Sequence, residues 1–172
     1  LGVNIGPNKD SENRLRDYVE CLKTFHHTAD YITINISSPN TEDLRSFHEQ
    51  TKLDELLQTI NKEKKDLNSK VPIAVKVSPD IDDQEVNKIT EVLLSNNIEV
   101  VIISNTSDSS RDSLSNIQKH QKGGLSGKPI EKKSSILINK FYKLLNGRIK
   151  IIGVGGVDSG KSAYEKFLAG AS

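Results

Sequence analysis

The sequence predicts an α/β fold in which consecutive strand–helix units build a parallel sheet. Short apolar runs alternate five times with longer segments whose apolar residues recur every three or four positions. The apolar runs are continuous rather than alternating, which is typical of strands that are covered on both faces. Each run ends in polar residues or glycines. Groups that could bind a ligand are therefore expected at the strand ends.

Two architectures share this pattern, a doubly wound open sheet and a (β/α)₈ TIM barrel. In an open sheet the ligand groups gather at one switch point, whereas in a barrel every strand ends at the same mouth. All five predicted strands end in possible ligand groups, and this favours the barrel. Residues 1–172 are thus expected to form a single, incomplete barrel domain of about five consecutive units, with the doubly wound sheet as the alternative.

Length and composition are those of a soluble globular domain. The 172 residues can bury one hydrophobic core, and 34% of them are hydrophobic and 27% charged. The net charge of +1 gives no indication of binding to nucleic acid or to an anionic membrane. Cys21 alone cannot form an internal disulfide, and no apolar run is long enough to span a membrane. These features predict a cytoplasmic location by default.

The chain contains no Met and begins directly with an apolar run. We therefore expect it to be an internal segment of a longer protein.

The first half of the chain contains two predicted strands and two predicted helices. Leu1–Gly6 ends in a Gly-Pro-Asn turn, and Tyr31–Ser37 is the second apolar run. Ser11 is expected to cap the first helix, which extends to about Thr28, and a loop from Ser38 to about Thr51 precedes the second helix. The predicted apolar faces comprise Leu15, Tyr18, Val19, Leu22 and Phe25 in the first helix and Leu53, Leu56, Leu57, Ile60 and Leu67 in the second.

The second half contains three further strands, predicted at Val71–Asp80, Val100–Ser104 and Lys150–Val154. Asp82 or Asp83 is expected near the start of the third helix. The polar stretch from 108 to 122 is longer than an ordinary connection and predicts a functional or mobile loop. The apolar faces comprise Val86, Ile89 and Leu93 in the third helix and Leu137, Ile138, Phe141, Leu144 and Leu145 in the fourth, and a last helix is expected at about 162–169.

The strongest candidate for a site follows the second strand, at Asn35-Ile36-Ser37-Ser38-Pro39-Asn40-Thr41. Pro39 cannot donate a main-chain hydrogen bond, and it disfavours helix at Ser38. Several small polar side chains are therefore expected to crowd one strand end. The structural alternative is a capped strand end followed by a turn, because Ser, Pro and Asn are common turn residues.

A lysine and two groups of glycines suggest a phosphorylated ligand. Lys76 lies within the third apolar run, where a buried ammonium costs free energy unless it is paired, either in a structural ion pair or with negative charge on a ligand. Gly155 and Gly156 follow the fifth strand, and Gly123–Gly127 precedes the fourth helix. Main-chain N–H groups there can approach a phosphate.

Two other patterns are rejected as sites. Residues 155–162 match the GxxxxGK[ST] phosphate-loop pattern, but no strand is predicted after them to supply a magnesium-binding acid. A nucleoside triphosphate site would also leave Asn35, Ser38, Lys76 and Asn105 without a role. The histidines lack metal-ligand spacing, and surface positions are expected for all of them, namely His26, His27, His48 and His120.

Five motifs occur in order along the chain: NISSPNT at 35–41, AVK at 74–76, SNT at 104–106, GGLSG at 123–127 and IIGVGGV at 151–157. Taken together, they resemble those of the dihydroorotate dehydrogenase family, and more narrowly its quinone-linked class 2. The resemblance implies a (β/α)₈ barrel with FMN at its mouth, of which this chain would cover the third to seventh strands. It also implies oxidation of dihydroorotate to orotate, with a quinone as electron acceptor, in pyrimidine biosynthesis.

The resemblance also implies roles for individual residues. Ser38 matches the serine that removes the C5 proton of dihydroorotate in class 2, with Thr41 as a candidate member of a proton relay. Asp43 stands where the family usually has Gly, and Ser104 where Thr is usual. Substrate-binding positions match Asn35, Asn40, Asn105 and Thr106, and FMN-binding positions match Asn4, Asn35, Lys76, Ser104, Gly127 and Gly156.

The partners implied by the resemblance are dihydroorotate or orotate and a quinone that binds through N-terminal helices outside this chain. The enzyme would lie peripherally on the cytoplasmic side of the cell membrane, although the segment alone would be soluble. No nucleic-acid partner is expected, and the oligomeric state is not predicted. The alternatives are a non-catalytic barrel remnant without FMN and, more distantly, another phosphate-binding barrel enzyme.

Overall fold

Five parallel strands form one sheet in the computed structural model, which describes residues 1–39, 44–109, 111–112 and 114–172. Along the sheet the strands follow the order of the chain, so that each strand pairs with the next. A doubly wound sheet reverses its strand order at a switch point. The observed order is therefore that of a barrel segment, and the doubly wound alternative is wrong. The strands are β1 (Gly2–Ile5), β2 (Tyr31–Asn35), β3 (Ile73–Val77), β4 (Val100–Ile103) and β5 (Lys150–Gly153).

A helix follows every strand, as the sequence predicts. The α-helices are α1 (Arg14–Phe25), α2 (Gln50–Asp66), α3 (Asp83–Ser95), α4 (Glu131–Leu145) and α5 (Gly160–Ala169). Short 3₁₀ helices occur at Leu44–His48, Ile117–His120 and Lys128–Ile130. None of the helices in the described ranges is both long enough and apolar enough to cross a bilayer.

One face of the sheet packs against the helices and forms the core. Ile34, Val75, Val101 and Ile151 alternate with residues of the other face, and all four are at most 1% exposed. Helix residues such as Leu57, Ile89 and Ile138 complete the same cluster, and each such side chain stabilises the fold by about 2 kcal/mol on burial. The other face carries polar groups towards the strand ends.

The helix boundaries confirm some predictions and correct others. Asp82 caps α3 and forms a capping box with Glu85, as expected for a helix that starts at Asp83. The cap of α1 is Asn13 rather than Ser11, because the Asn13 side chain accepts a hydrogen bond from the main-chain N–H of Arg16. This helix ends at Phe25 rather than near Thr28. Phe25 and Leu144 were predicted on apolar faces but are 38% and 39% exposed, since both lie in the last turn of their helices.

The predicted loop between β2 and α2 contains the 3₁₀ helix Leu44–His48, and it buries His48. The expectation of a surface position for His48 is therefore wrong: the side chain is 5% exposed, and its Nε2 accepts a hydrogen bond from the N–H of Ser78 at 3.5 Å. Burial, assisted by the nearby positive charge of Arg45, lowers the pKa of His48 to about 4.

The buried His48 predicts a specific loss of stability in acid. An unfolded histidine has a pKa of about 6.5, so the unfolded chain binds more protons than the folded chain between about pH 6.5 and pH 4. The contribution of His48 is fully present above about pH 6.5 and is lost as the pH falls towards 4, by up to ~3 kcal/mol.

Urea denaturation as a function of pH measures this loss. The variant His48→Gln should flatten the pH dependence, whereas His27→Gln, at an exposed position, should retain it. An unchanged acid loss in the His48→Gln protein would contradict the assignment.

Candidate active site

The carboxyl ends of the strands bring the predicted site residues to one edge of the sheet. Asn35 is the register partner of Lys76 in the β2–β3 pair. Ser104 follows β4, and its N–H donates to the carbonyl of Val154, which follows β5. Asn4 on β1 pairs with Thr33, two residues before Asn35, and is exposed. Side chains two residues apart on a strand share a face, so Asn4, Asn35 and Lys76 lie on the face opposite the helical core.

A hydrogen-bond network joins Asn35, Ser37 and Asn105 at the centre of this edge. Asn105 Nδ2 donates to Asn35 Oδ1 at 3.1 Å and to Ser37 Oγ at 3.0 Å. Ser37 Oγ donates in turn to the main-chain carbonyl of Lys76 at 2.7 Å. The main-chain N–H of Ser37 also donates to Asn35 Oδ1 at 3.3 Å. The network therefore ties together the ends of β2, β3 and β4.

The network determines which amide groups remain for a ligand. Both Nδ2 hydrogens of Asn105 are donated within it, and Asn105 Oδ1 accepts from the N–H of Thr106 at 2.8 Å. The Oδ1 of Asn35 accepts from Ser37 and Asn105, whereas its Nδ2 has no acceptor among the residues that the structure describes. Asn35 thus presents a donor, while Asn105 chiefly holds Asn35 in place.

A buried tyrosine supports Asn35 from the helical side. The hydroxyl of Tyr18, on α1, donates to the main-chain carbonyl of Asn35 at 2.7 Å. Burial raises the pKa of Tyr18 well above its ordinary value, so the hydroxyl stays protonated and remains a donor. The ring meets Phe47 edge to face, with 6.0 Å between the ring centroids. The end of β2 is therefore fixed by contacts on both faces of the sheet.

Ser38 follows the network directly and is half-buried. The glycine-rich segment lies close by, because a Cβ atom on Gly124 would stand 1.8 Å from Thr106 Oγ1 and 3.1 Å from Pro39 Cγ. Only glycine fits at that contact, which places Gly124 against both Thr106 and Pro39. The predicted site residues Asn40 and Thr41, and the family departure Asp43, lie outside the described residues.

Lys76 is a half-buried amine with no hydrogen-bond or ion-pair partner within the described ranges. Burial lowers its pKa, which is the effect expected of an ammonium without a compensating anion. The structural ion pair considered from the sequence is therefore not found there. The side chains of Lys76 and Asn35 project from the same face of neighbouring strands.

The two glycines predicted near a phosphate both have backbone conformations that favour glycine. Gly127 has φ +76° and Gly156 has φ +75°. A Cβ atom on Gly156 would stand 2.4 Å from Glu131 Cβ, so Gly156 packs closely against the first turn of α4. This contact places Gly156 beside the short helix that Gly127 precedes.

The start of α5 argues against the phosphate-loop match. Ser162, the last residue of that pattern, is 2% exposed, and its hydroxyl accepts from the N–H groups of Asp158 and Ser159 at 2.9 Å. The same hydroxyl reaches Asp158 Oδ1 at 3.0 Å. Ser162 therefore forms a capping box with the N-cap residue Ser159 and is not free to coordinate a magnesium ion.

Sequence reasoning gave no role to Ser37 or Tyr18, although both hold the site together. Ser37 could have been found because it lies in the same polar stretch as Ser38. Tyr18 could not, since its apolar-face position indicates only packing and its polar partner is 17 residues away.

Replacing Ser37 by alanine is expected to destabilise the protein by about 1–3 kcal/mol, because Asn105 Nδ2 loses an acceptor and the carbonyl of Lys76 loses a donor. Urea denaturation measures the change. Ser115→Ala, at an exposed position, is the matched control and should shift stability by less than about 0.5 kcal/mol. Equal effects of the two substitutions would show that the network does not hold the strand ends.

Comparison with known proteins identifies the family. The model of the dihydroorotate dehydrogenase family matches residues 1–172. The chain is 46% identical over 178 residues to dihydroorotate dehydrogenase (quinone) of Pasteurella multocida, covering 99% of this chain and 52% of the relative. It is 44% identical to the protein of the same name from Idiomarina loihiensis, covering 100% of this chain and 53% of the relative.

A solved structure agrees with the sequence matches. The structure of DHODH from Eimeria tenella in complex with ferulenol matches with a TM-score of 0.96 and 34% identity, over 99% of this chain and 50% of that one. The chain therefore spans about half the length of these relatives. On the sequence motifs, the strand order and these matches together, the chain belongs to the dihydroorotate dehydrogenase family.

Proposed function

We propose that this chain supplies most of the FMN and substrate site of a quinone-linked enzyme that oxidises dihydroorotate to orotate in pyrimidine biosynthesis. The observation that carries the proposal is the Asn35–Ser37–Asn105 network, which lies directly beside Ser38 and Lys76. The names of the curated relatives support it. Because the chain spans about half of those relatives, the activity is proposed for the full-length protein.

The substrate is expected to accept a hydrogen bond from Asn35 Nδ2, the donor to which the network gives no acceptor. A dihydropyrimidine ring carries carbonyl oxygens and N–H groups, and an asparagine amide can bind either kind of group. Asn35 Nδ2 is directed by two hydrogen bonds on its own Oδ1, from the N–H of Ser37 and from Asn105 Nδ2, so it can donate to a ring carbonyl without reorientation. Thr106, and by family resemblance Asn40, would complete the contacts. Asn105 contributes by its remaining acceptor site and by orienting Asn35.

Ser38 is proposed as the base that removes the C5 proton. A serine hydroxyl is a weak base at its ordinary pKa and depends on its surroundings to accept a proton. Here it is half-buried, and its neighbour Pro39 packs against Gly124. This packing excludes part of the surrounding water. By family resemblance, Thr41 would pass the proton on.

FMN, when bound, would accept the hydride that leaves C6 of dihydroorotate. Lys76 would face the negative charge that develops on the cofactor, since its amine is half-buried and otherwise uncompensated in the described part of the chain. The main-chain N–H groups at Gly127 and Gly156 would approach the phosphate, because neither residue has a Cβ atom to obstruct it. Asn4, Asn35 and Ser104 are proposed as the remaining flavin contacts.

We also propose that the five units correspond to the third to seventh strands of the family barrel. Within the described ranges, β1 and β5 each pair with one neighbouring strand only. Tyr164, Phe167 and Leu168 on α5 are 62%, 58% and 67% exposed, which is unusual for three large apolar residues on one short helix. Further units of the barrel would cover both edges. The quinone site and a peripheral membrane contact are proposed for segments outside this chain.

Replacing Ser38 by alanine in the full-length protein is expected to slow flavin reduction by dihydroorotate by a factor of about 10²–10⁴, because the C5 proton loses its acceptor. FMN content should be unchanged, since the substitution leaves Lys76 and the glycines in place. Anaerobic stopped-flow absorbance of the flavin measures the rate. Ser95→Ala, at an exposed position on α3, is the control and should reduce its flavin at the wild-type rate.

Two outcomes would contradict this account. Near-normal flavin reduction in the Ser38→Ala protein would remove Ser38 from the role of base. A full-length protein that purifies without flavin and does not bind added FMN would favour the non-catalytic alternative.

A further inference from the structure

The carboxylate of Asp80 joins four separate segments of the chain at the rim of the candidate site. Asp80 follows β3, and its side chain is 12% exposed. Its Oδ1 accepts from Ser107 Oγ at 2.6 Å and from Lys133 Nζ on α4. Its Oδ2 accepts from the N–H of Asp108 at 2.9 Å and from Arg45 Nη2 at 3.4 Å. We call this arrangement of Asp80, Arg45, Ser107, Asp108 and Lys133 the Asp80 junction.

The junction is an internal structure rather than a ligand site, because each carboxylate oxygen already has two donors. Burial alone would raise the pKa of Asp80, but hydrogen bonds from Lys133, Ser107 and Asp108 lower it below its ordinary value. The carboxylate is therefore charged at neutral pH. Charge-assisted hydrogen bonds of this kind are about twice as strong as neutral ones, so they constrain the segments that they join.

The junction holds the segment that begins at Asn105, through hydrogen bonds to Ser107 and Asp108. The side chain of Ser107 is held by Asp80, and its main chain pairs with Leu125 through N···O distances of 2.9 and 2.6 Å. At the other end of the segment, the N–H of Asn105 donates to the carbonyl of Val77 at 2.9 Å. Asn105 and Thr106 therefore lie between two fixed points, the hydrogen bond to β3 at one end and the Asp80 junction at the other. Their positions depend on both contacts.

Through Arg45 the junction also holds the 3₁₀ helix Leu44–His48, which follows Ser38 in the sequence. Arg45 Nη1 donates to Asp108 Oδ1 at 2.6 Å, in addition to the contact of Nη2 with Asp80. The 3₁₀ helix is therefore bound to the same two acidic residues that hold the Asn105 segment.

We propose that Asp80 is a positioning residue, whose carboxylate sets the placement of the Ser38 loop relative to the Asn105–Ser107 segment. The inference rests on the proposed function, in which Ser38 and Asn105 must contact the same substrate. Asp80 is not proposed to contact substrate or cofactor, because protein donors already occupy both of its carboxylate oxygens. It acts through Arg45 on one side and through Ser107 and Asp108 on the other.

The test compares Asp80→Asn with Asp83→Asn in the full-length protein. Both substitutions remove one negative charge, but Asp83 is an exposed residue that pairs only with Lys140 among the described residues. The Asp80→Asn enzyme is expected to keep its FMN while KM for dihydroorotate rises by about tenfold to a hundredfold, because its substrate contacts are misplaced. Asp83→Asn should leave both KM and kcat within about twofold of wild type. A purely structural defect would lower the yield of folded enzyme without changing its KM.

Ser107→Ala provides a milder variant that leaves every charge of the junction in place. It is expected to raise KM as well, by a smaller factor. In the double variant with Asp80→Asn, the two effects on KM should not be additive. This variant keeps the proposal testable should Asp80→Asn fail to fold. Unchanged KM in Ser107→Ala together with purely additive effects would overturn the proposal.

Hydrogen–deuterium exchange separates this inference from the proposed function. In Asp80→Asn the amides of 105–109 and 44–48 are expected to exchange faster, while those of α2 and β2 keep their wild-type rates. If the wild-type enzyme does not oxidise dihydroorotate, the proposed function fails, but the exchange result still decides whether Asp80 positions the two segments. Wild-type exchange at 105–109 in the Asp80→Asn protein would overturn the proposal.

Discussion

The structure depends on one constraint, the parallel hydrogen-bonded pairing of five strands in the order of the chain. Parallel strands in sequential order have all their carboxyl ends at one edge, and each crossover helix returns the chain to the opposite edge. Residues that lie far apart in the sequence thereby become neighbours. The pairing of Asn35 with Lys76, and the hydrogen bond from Asn105 to Asn35, follow directly from this arrangement.

Partial burial of polar groups at this edge of the sheet costs free energy, and the hydrogen-bond networks offset that cost. Where apolar strands end, their last main-chain groups and several polar side chains are partly removed from water, and each unpaired group would cost about 1–3 kcal/mol. Ser37, Tyr18 and the Asp80 junction satisfy these groups by hydrogen bonds between neighbouring strand ends. Among the described residues, the buried Nε of Arg45 has no hydrogen-bond partner, and neither the amine of Lys76 nor the Nδ2 of Asn35 has one. Unsatisfied groups gathered in one place are typical of a binding site, and Lys76 and Asn35 are residues that the family resemblance assigns to flavin and substrate.

Periodicity was sufficient to predict the five units and most of the core from the sequence. The face of α3 formed by Val86, Ile89 and Leu93 is buried as predicted, and Asp82 caps that helix.

Contacts between distant residues could not be predicted, because a single sequence gives no sign of them. Asp80 meets Ser107 and Lys133 at separations of 27 and 53 residues. The 3₁₀ helix Leu44–His48 was also missed, because one short turn has no apolar repeat, and the burial of His48 was missed with it. The site residues themselves were named by motif, and their roles stay predictions.

The most direct test of the account is a crystal structure of the full-length protein with FMN and orotate bound. The account predicts one FMN in contact with Asn4, Asn35, Lys76 and Gly156, and orotate between Ser38 and Asn35. It also predicts that Asn105 retains its hydrogen bonds to Asn35 and Ser37. A flavin bound elsewhere, or an orotate that contacts neither Ser38 nor Asn35, would contradict the claim that these strand ends form a single active site.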